Sequence, residues 1–179
     1  MIKFEIHNMV VTVQFSDRID LDKLASKLSS SAEYFPDNFP GVVYRMNKPR
    51  ASFLIFSTGK ATCVGTASEK DAKEAIGNML KLLKDMGVNV KTPKIEIQNI
   101  VASTKLDTRF DIDKMAFELE NSEYEPETFP GLVYKTKGSV TFLIFSTGKI
   151  VCVGARSTND IKESFDHLVK RLREIKALK

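Results

Sequence analysis

The chain has 179 residues, 42% of them hydrophobic and 28% charged, an ordinary balance for a soluble globular protein of one or two domains. No apolar run approaches a membrane span, no signal-peptide core follows Met1, and two cysteines without a CxxC or a cysteine–histidine cluster give no support to a disulfide scaffold or a zinc site. The net charge of +4 is shared equally between residues 1–90 and 91–179, so there is no polybasic tail, and nucleic-acid binding is permitted without being announced.

Phe4 to Val13 is rich in β-branched residues and predicts a strand, with Asn8 in its middle. Asp20 is a good helix N-cap, and Leu21, Leu24 and Leu28 follow at helical spacing. After Glu33-Tyr34 comes a proline-bounded turn, then three apolar runs separated by Pro/Gly or Ser-Thr-Gly punctuation, which predicts an antiparallel meander. Ser68-Glu69-Lys70-Asp71 opens a long amphipathic helix with Ala72, Ile76, Met79, Leu80, Leu83 and Met86 on one stripe. Gly87 stops it, and Val88 to Thr92 is a short link.

The same succession then begins again. Ile95 to Thr104 predicts a strand with Asn99 at the place of Asn8, and Asp111 caps a helix with Ile112, Met115 and Leu119. The turn after Glu123-Tyr124 leads to a second meander, and Ser157-Thr158-Asn159-Asp160 opens a helix with Ile161, Phe165, Leu168, Leu172 and Ile175 on one stripe. Residues 53–60 and 142–149 are identical, Phe-Leu-Ile-Phe-Ser-Thr-Gly-Lys, and Cys63-Val64-Gly65 returns as Cys152-Val153-Gly154. The chain is therefore a tandem duplication, with repeats at 1–90 and 91–179.

Alternation along the strands sets Leu54 and Phe56 on one face, Phe53 and Ile55 on the other, and puts Thr62 and Val64 together opposite Cys63. Both faces are apolar, yet the helices suffice for one. The second face is either buried in a dimer or sandwich, or is an apolar binding surface open to a ligand. Two mid-strand asparagines related by the duplication suggest that the amide is used.

The strand around Ile97-Gln98-Asn99-Ile100-Val101, the stretch Glu123 to Tyr134 and Leu143-Ile144-Phe145…Gly148-Lys149 resemble the TATA-box-binding protein family, over essentially the whole chain. The resemblance implies an α+β fold. In that family the fold is a pseudo-twofold saddle, one continuous curved antiparallel sheet of ten strands with four helices on the convex side. It implies a general transcription initiation factor of archaeal type that binds and bends A·T-rich, TATA-box promoter DNA through the minor groove and assembles with transcription factor B and RNA polymerase.

Carried over residue by residue, Phe39 with Phe56, and Phe129 with Phe145, are similar to the family's wedges between base pairs, beside Pro40 and Pro130. Asn8 and Asn99 match its central pair, and Val10, Leu54, Thr62, Val101, Leu143 and Val151 its apolar floor. Arg45, Lys60, Lys135 and Lys149 match positions near phosphates. Glu125 and Glu127 lie in the loop that docks transcription factor B in the family; without the resemblance they read equally as a solvated acidic turn.

Two departures bear on specificity. Val64 and Val153 stand where the family usually has threonine, and Phe35-Pro36-Asp37-Asn38 is acidic where some members are basic. The alternative is thus a divergent paralogue with relaxed sequence preference, a regulator or a protein that sequesters transcription factors. A weak homodimer through the open face in the absence of DNA is a further expectation, as is a cytoplasmic location, at the nucleoid if archaeal, with no membrane partner, cofactor or metal.

Catalysis has no footing. The Ser-Thr-Gly-Lys turns lack the preceding P-loop glycine, where Leu54 and Leu143 stand, and His7 and His167 belong to no triad or metal spacing.

Overall fold

The structure is a computed structural model describing residues 1–178. Its elements follow the duplicated order. Strand β1 (Glu5–Gln14) leads to helix α1 (Leu21–Leu28), a 3-10 turn at Ser29–Ser31 and the two-residue strand β2 (Ala32–Glu33). Strands β3 (Gly41–Asn47), β4 (Arg50–Phe56) and β5 (Lys60–Thr66) form the meander before helix α2 (Glu69–Asp85). The second round is β6 (Lys94–Lys105), α3 (Ile112–Glu118), β7 (Ser122–Glu123), β8 (Leu132–Lys135), β9 (Thr141–Ile144), β10 (Lys149–Ala155) and α4 (Thr158–Glu174).

Among the described residues there are four α-helices and ten strands, hydrogen-bonded as one sheet in the order β2-β3-β4-β5-β1-β6-β10-β9-β8-β7. The antiparallel α+β architecture is the one expected. Strands β2 and β7 were invisible to periodicity, because two residues carry no pattern; they end at Glu33 and Glu123, just before the predicted turns.

Side-chain caps start the helices. Oδ1 of Asp20 and of Asp111 accepts from the backbone N–H of Lys23 and Lys114 at 3.1 and 3.2 Å. Oγ of Ser68 and Ser157 accepts from Asp71 and Asp160 at 3.1 and 3.0 Å. Each cap satisfies one of the four free donors of a first turn, worth about 1 kcal/mol.

The chain divides into two compact units, one of Asn8–Gln98, the other of Met1–His7 with the residues from Asn99 onward. In the first, α2 packs on β4 and β5 and α1 on β3. Met9, Val11, Phe53, Ile55 and Cys63 of the strands and Ala75, Ile76, Met79 and Leu83 of α2 are all essentially solvent-free. Ala75 joins this stripe although the sequence reading omits it, and Leu80 lies at its half-buried edge.

In the second unit α4 packs on β10. Phe165 sits between Phe4 and Phe142 with ring centroids 5.9 and 5.2 Å away. Burial pushes the Cys63 thiol up to about 11 and the Cys152 thiol, which also faces Asp160, up to about 12, so both are inert core groups. In each unit, one face of the strands is thus consumed by the helices. The residues between those core positions lie on the other face, half-buried or exposed.

Candidate nucleic-acid interface

In the Asn8–Gln98 unit the opposite face carries Asn8, Val10 and Thr12 of β1, Val43 and Arg45 of β3, Leu54 and Phe56 of β4, and Lys60, Thr62 and Val64 of β5. Register makes them neighbours. Thr62 lies between Thr12 and Leu54, Val64 between Val10 and Ser52, and Leu54 faces Val43. The apolar members are only half-buried although strands flank them on both sides. A half-covered apolar sheet face is a binding surface rather than a core.

The other unit repeats the arrangement. Val151 lies between Ser103 and Leu143, Leu143 faces Val133, and Val153 faces Thr141. Asn99, Val101 and Val153 share that half-buried face, and Lys135 and Lys149 are exposed at the ends of their strands.

Each face ends in a pair of phenylalanines. Phe39 and Phe56 have ring centroids 5.7 Å apart at an interplanar angle of 66°; Phe129 and Phe145 are 5.8 Å apart at 68°. Such edge-to-face pairs hold each other by about 0.5–1.5 kcal/mol beyond simple burial. The turn before each pair is tight. The Phe35 carbonyl accepts from the N–H of both Asn38 and Phe39 at 2.9 Å, and the Glu125 carbonyl accepts from Thr128 and Phe129 at 3.0 and 2.9 Å. Pro40 and Pro130 then fix the backbone leaving the ring.

Glycine seats the rings. A Cβ on Gly41 would come within 2.9 Å of Phe39 and 3.1 Å of Phe56, and one on Gly131 within 2.9 Å of both Phe129 and Phe145. Phe39 and Phe129 still expose 36% of their surface, so the pairs are preformed and open on one side. The repeated Phe-Pro-Gly in the sequence was the available signal for this seat; that the glycine lies beneath both rings was not readable.

The asparagines are oriented by a bulge. Register slips on β5 after Val64 and on β10 after Cys152, and Gly65 and Gly154 sit in the slips with φ of 93°. Only glycine adopts that backbone freely. Each Gly N–H donates to the asparagine oxygen of its unit, Gly65 to Asn8 Oδ1 at 2.8 Å and Gly154 to Asn99 Oδ1 at 2.7 Å. With the oxygen engaged by a backbone donor, the free end of each amide is NH2. Among the described residues it has no partner, and it remains a donor for whatever meets the face.

The cations are not all free. Arg45 Nη1 lies 3.3 Å from Glu33 Oε1, and Lys135 Nζ 3.7 Å from Glu123 Oε1. All four side chains are more than half exposed, so these pairs hold weakly, about 0–1 kcal/mol, and yield readily to a phosphate. The sequence reading named the cations and missed the glutamates, which sit on β2 and β7. Among the described residues Lys60 and Lys149 form no ion pair.

A second symmetric pair also went unread. Gln98 Nε2 donates to Thr12 Oγ1 at 3.0 Å, and His7, the matching residue of the first repeat, bonds through Nε2 to Ser103 Oγ at 2.5 Å. Glu125 and Glu127 are exposed in their turn. Among the described residues no three histidine, cysteine or carboxylate side chains are grouped to hold a metal.

Three comparisons complete the description. A family model described as "Transcription factor TFIID (or TATA-binding protein, TBP)" matches residues 3–86 and 94–175. A TATA-box-binding protein of Pyrobaculum aerophilum is 46% identical over 177 residues, 98% of this chain and 88% of that one. The TATA-box-binding protein of Methanocaldococcus jannaschii is 40% identical over 178 residues, 98% of this chain and 97% of that one. The solved structure of Methanococcus jannaschii TBP superposes with a TM-score of 0.89 at 41% identity, covering 96% of this chain and 99% of its own.

Proposed function

This chain belongs to the TATA-binding-protein family, and from that premise we propose that it is a transcription initiation factor that binds and bends A·T-rich promoter DNA through the minor groove. The observation that carries this reading is the pair of phenylalanines held over glycine at the end of each unit's open face. A preformed, exposed ring pair enters a base step without first having to be ordered. It replaces base stacking with ring contact and holds the step open, offsetting an unstacking cost of a few kcal/mol. This family is itself the standard example of minor-groove wedging, with kinks of about 80°, so that angle describes the family and is no result of the present geometry.

The half-buried floor, Val10, Leu54, Thr62 and Val64 in one unit and Val101, Leu143, Val151 and Val153 in the other, covers sugars and base edges. Asn8 and Asn99 supply direction. The minor-groove edge of an A·T pair offers acceptors alone, whereas G·C adds a donor at the guanine amino group. An amide whose oxygen is engaged by glycine presents NH2, which matches the first and opposes the second. Arg45, Lys60, Lys135 and Lys149 lie against phosphates and set position without reading sequence. The repeats 1–90 and 91–179 each contribute one half of this contact.

Beyond DNA, the turn containing Glu125 and Glu127 docks a basic surface of transcription factor B, and through it the promoter complex engages RNA polymerase. Without DNA, the apolar face is available for weak self-association. The working location is the cytoplasm, at the nucleoid.

A second reading rests on Val64 and Val153. Both lie on the open face, and neither side chain can donate to a base edge. It makes the protein a paralogue with relaxed sequence preference that regulates initiation. Selection of bound sites from random duplex DNA, with and without transcription factor B, separates the two. An A·T-rich consensus supports the first, a flat profile the second, and no recovered duplex removes both.

A further inference from the structure

Helix α3 buries Ile112 and Met115 but leaves Phe117 with 92% of its surface exposed. The matching residue of the first repeat is Ser26, so the duplication alone does not call for a ring here. Large aromatics normally find cover, and nothing among the described residues supplies it. The surroundings are strongly acidic. Residues 111–127 carry seven carboxylates against one lysine, whereas the matching residues 20–37 carry four against two. Asp113 one turn earlier, Glu118 next in sequence and Glu120 after it are all exposed.

This acidic stretch is tied to the turn assigned above to transcription factor B. Ser122 Oγ donates to the carbonyls of Ala116 and Leu119 at 3.3 and 2.7 Å, closing the end of α3 directly onto β7. Glu125 lies eight positions after Phe117, so the two are at most about 28 Å apart. One face of a standard protein interface, about 800 Å², is roughly 30 Å across. That separation is within the reach of a single partner.

We propose that Phe117 is the apolar anchor of an acidic docking surface running from α3 to the Glu125–Glu127 turn, and that this surface takes a protein presenting an apolar pocket rimmed by lysine and arginine. The proposal rests on the reading of that turn as the transcription factor B site and extends it. The two parts have different work. Exposed carboxylates steer a basic partner and accelerate encounter, while a ring desolvated in a pocket governs how long the complex lasts.

The test uses the full chain on promoter duplex with transcription factor B as the probe, comparing Phe117→Ser, Phe117→Leu and the double variant Glu125→Arg/Glu127→Arg. Binary DNA binding, unchanged in all three, shows that each is folded. Phe117→Ser is expected to speed dissociation of the ternary complex at least tenfold with its salt dependence retained, and Phe117→Leu to restore most of the lifetime. The charge-reversed pair is expected to slow association and flatten its salt dependence. A ternary lifetime for Phe117→Ser equal to the parent's, with the charge-reversed pair defective, overturns the anchor and leaves the turn assignment standing. Unchanged binding in every variant removes both. A defect in Phe117→Ser alone overturns the continuous surface, because the ring would then act without the turn.

Discussion

Replacing Asn8 and Asn99 together by aspartate separates what these side chains do for the fold from what they do for DNA. Aspartate keeps the oxygen that accepts from Gly65 at 2.8 Å and from Gly154 at 2.7 Å, so the two bulges stay bonded. What disappears is one NH2 donor in each unit. A neutral hydrogen bond contributes about 0.5–1.5 kcal/mol net, so two independent losses weaken binding to an A·T duplex by about 1–3 kcal/mol, roughly 5- to 150-fold. Two added carboxylates near DNA weaken binding to every sequence further, and this common loss cancels in the ratio of A·T to G·C affinity. That ratio should fall, because each new oxygen accepts from the guanine amino group that the amide opposed. Fluorescence anisotropy on matched duplexes measures the ratio, and urea unfolding checks that stability is kept. Asn99→Ala is the contrasting variant, expected to lose about 0.5–1.5 kcal/mol of stability through Gly154. An unchanged A·T to G·C ratio in the aspartate variant would refute the reasoning.

Val64→Thr with Val153→Thr keeps side-chain shape on the open face and adds a donor in each unit; tighter A·T binding by about 1–3 kcal/mol is expected, read from a binding titration. The slope of log affinity against log salt should not move, since no phosphate contact changes. Cys63 and Cys152, raised by burial to about 11 and about 12, should resist a thiol reagent at pH 8 in the native protein and react fully on unfolding. A folded value above the unfolded one, near 9, means that the associated stability is complete below pH 9 and is lost as pH rises toward 11 and 12. Replacing both cysteines by alanine should flatten the fall in melting temperature over that alkaline range.

The duplication made most of the architecture legible, because each weak signal occurred twice. Asp20 and Asp111, or Ser68 and Ser157, are unremarkable as single caps and persuasive as pairs. The same doubling singled out Asn8 and Asn99, although it could not say which end of the amide is free. That depends on a register slip at glycine, a long-range feature that no local pattern carries. Gly41 and Gly131 read as turn residues, whereas their role is to lie beneath two rings from different segments. Glu33 and Glu123 sit on strands too short for periodicity, so their pairing with Arg45 and Lys135 emerged only from the folded chain. Phe117 falls outside the apolar stripe of α3, which is why a search for core positions passes over it.

The central claim is that the two ring pairs wedge open the DNA. Energy transfer between dyes at the two ends of a promoter duplex reports the bend, for the parent and for Phe39→Ala/Phe56→Ala and Phe129→Ala/Phe145→Ala. Each double variant removes the whole ring pair of one unit and should leave only the kink of the other, giving about half the parent bend with weaker binding. A bend equal to the parent's in both variants would contradict the claim that these rings open the DNA.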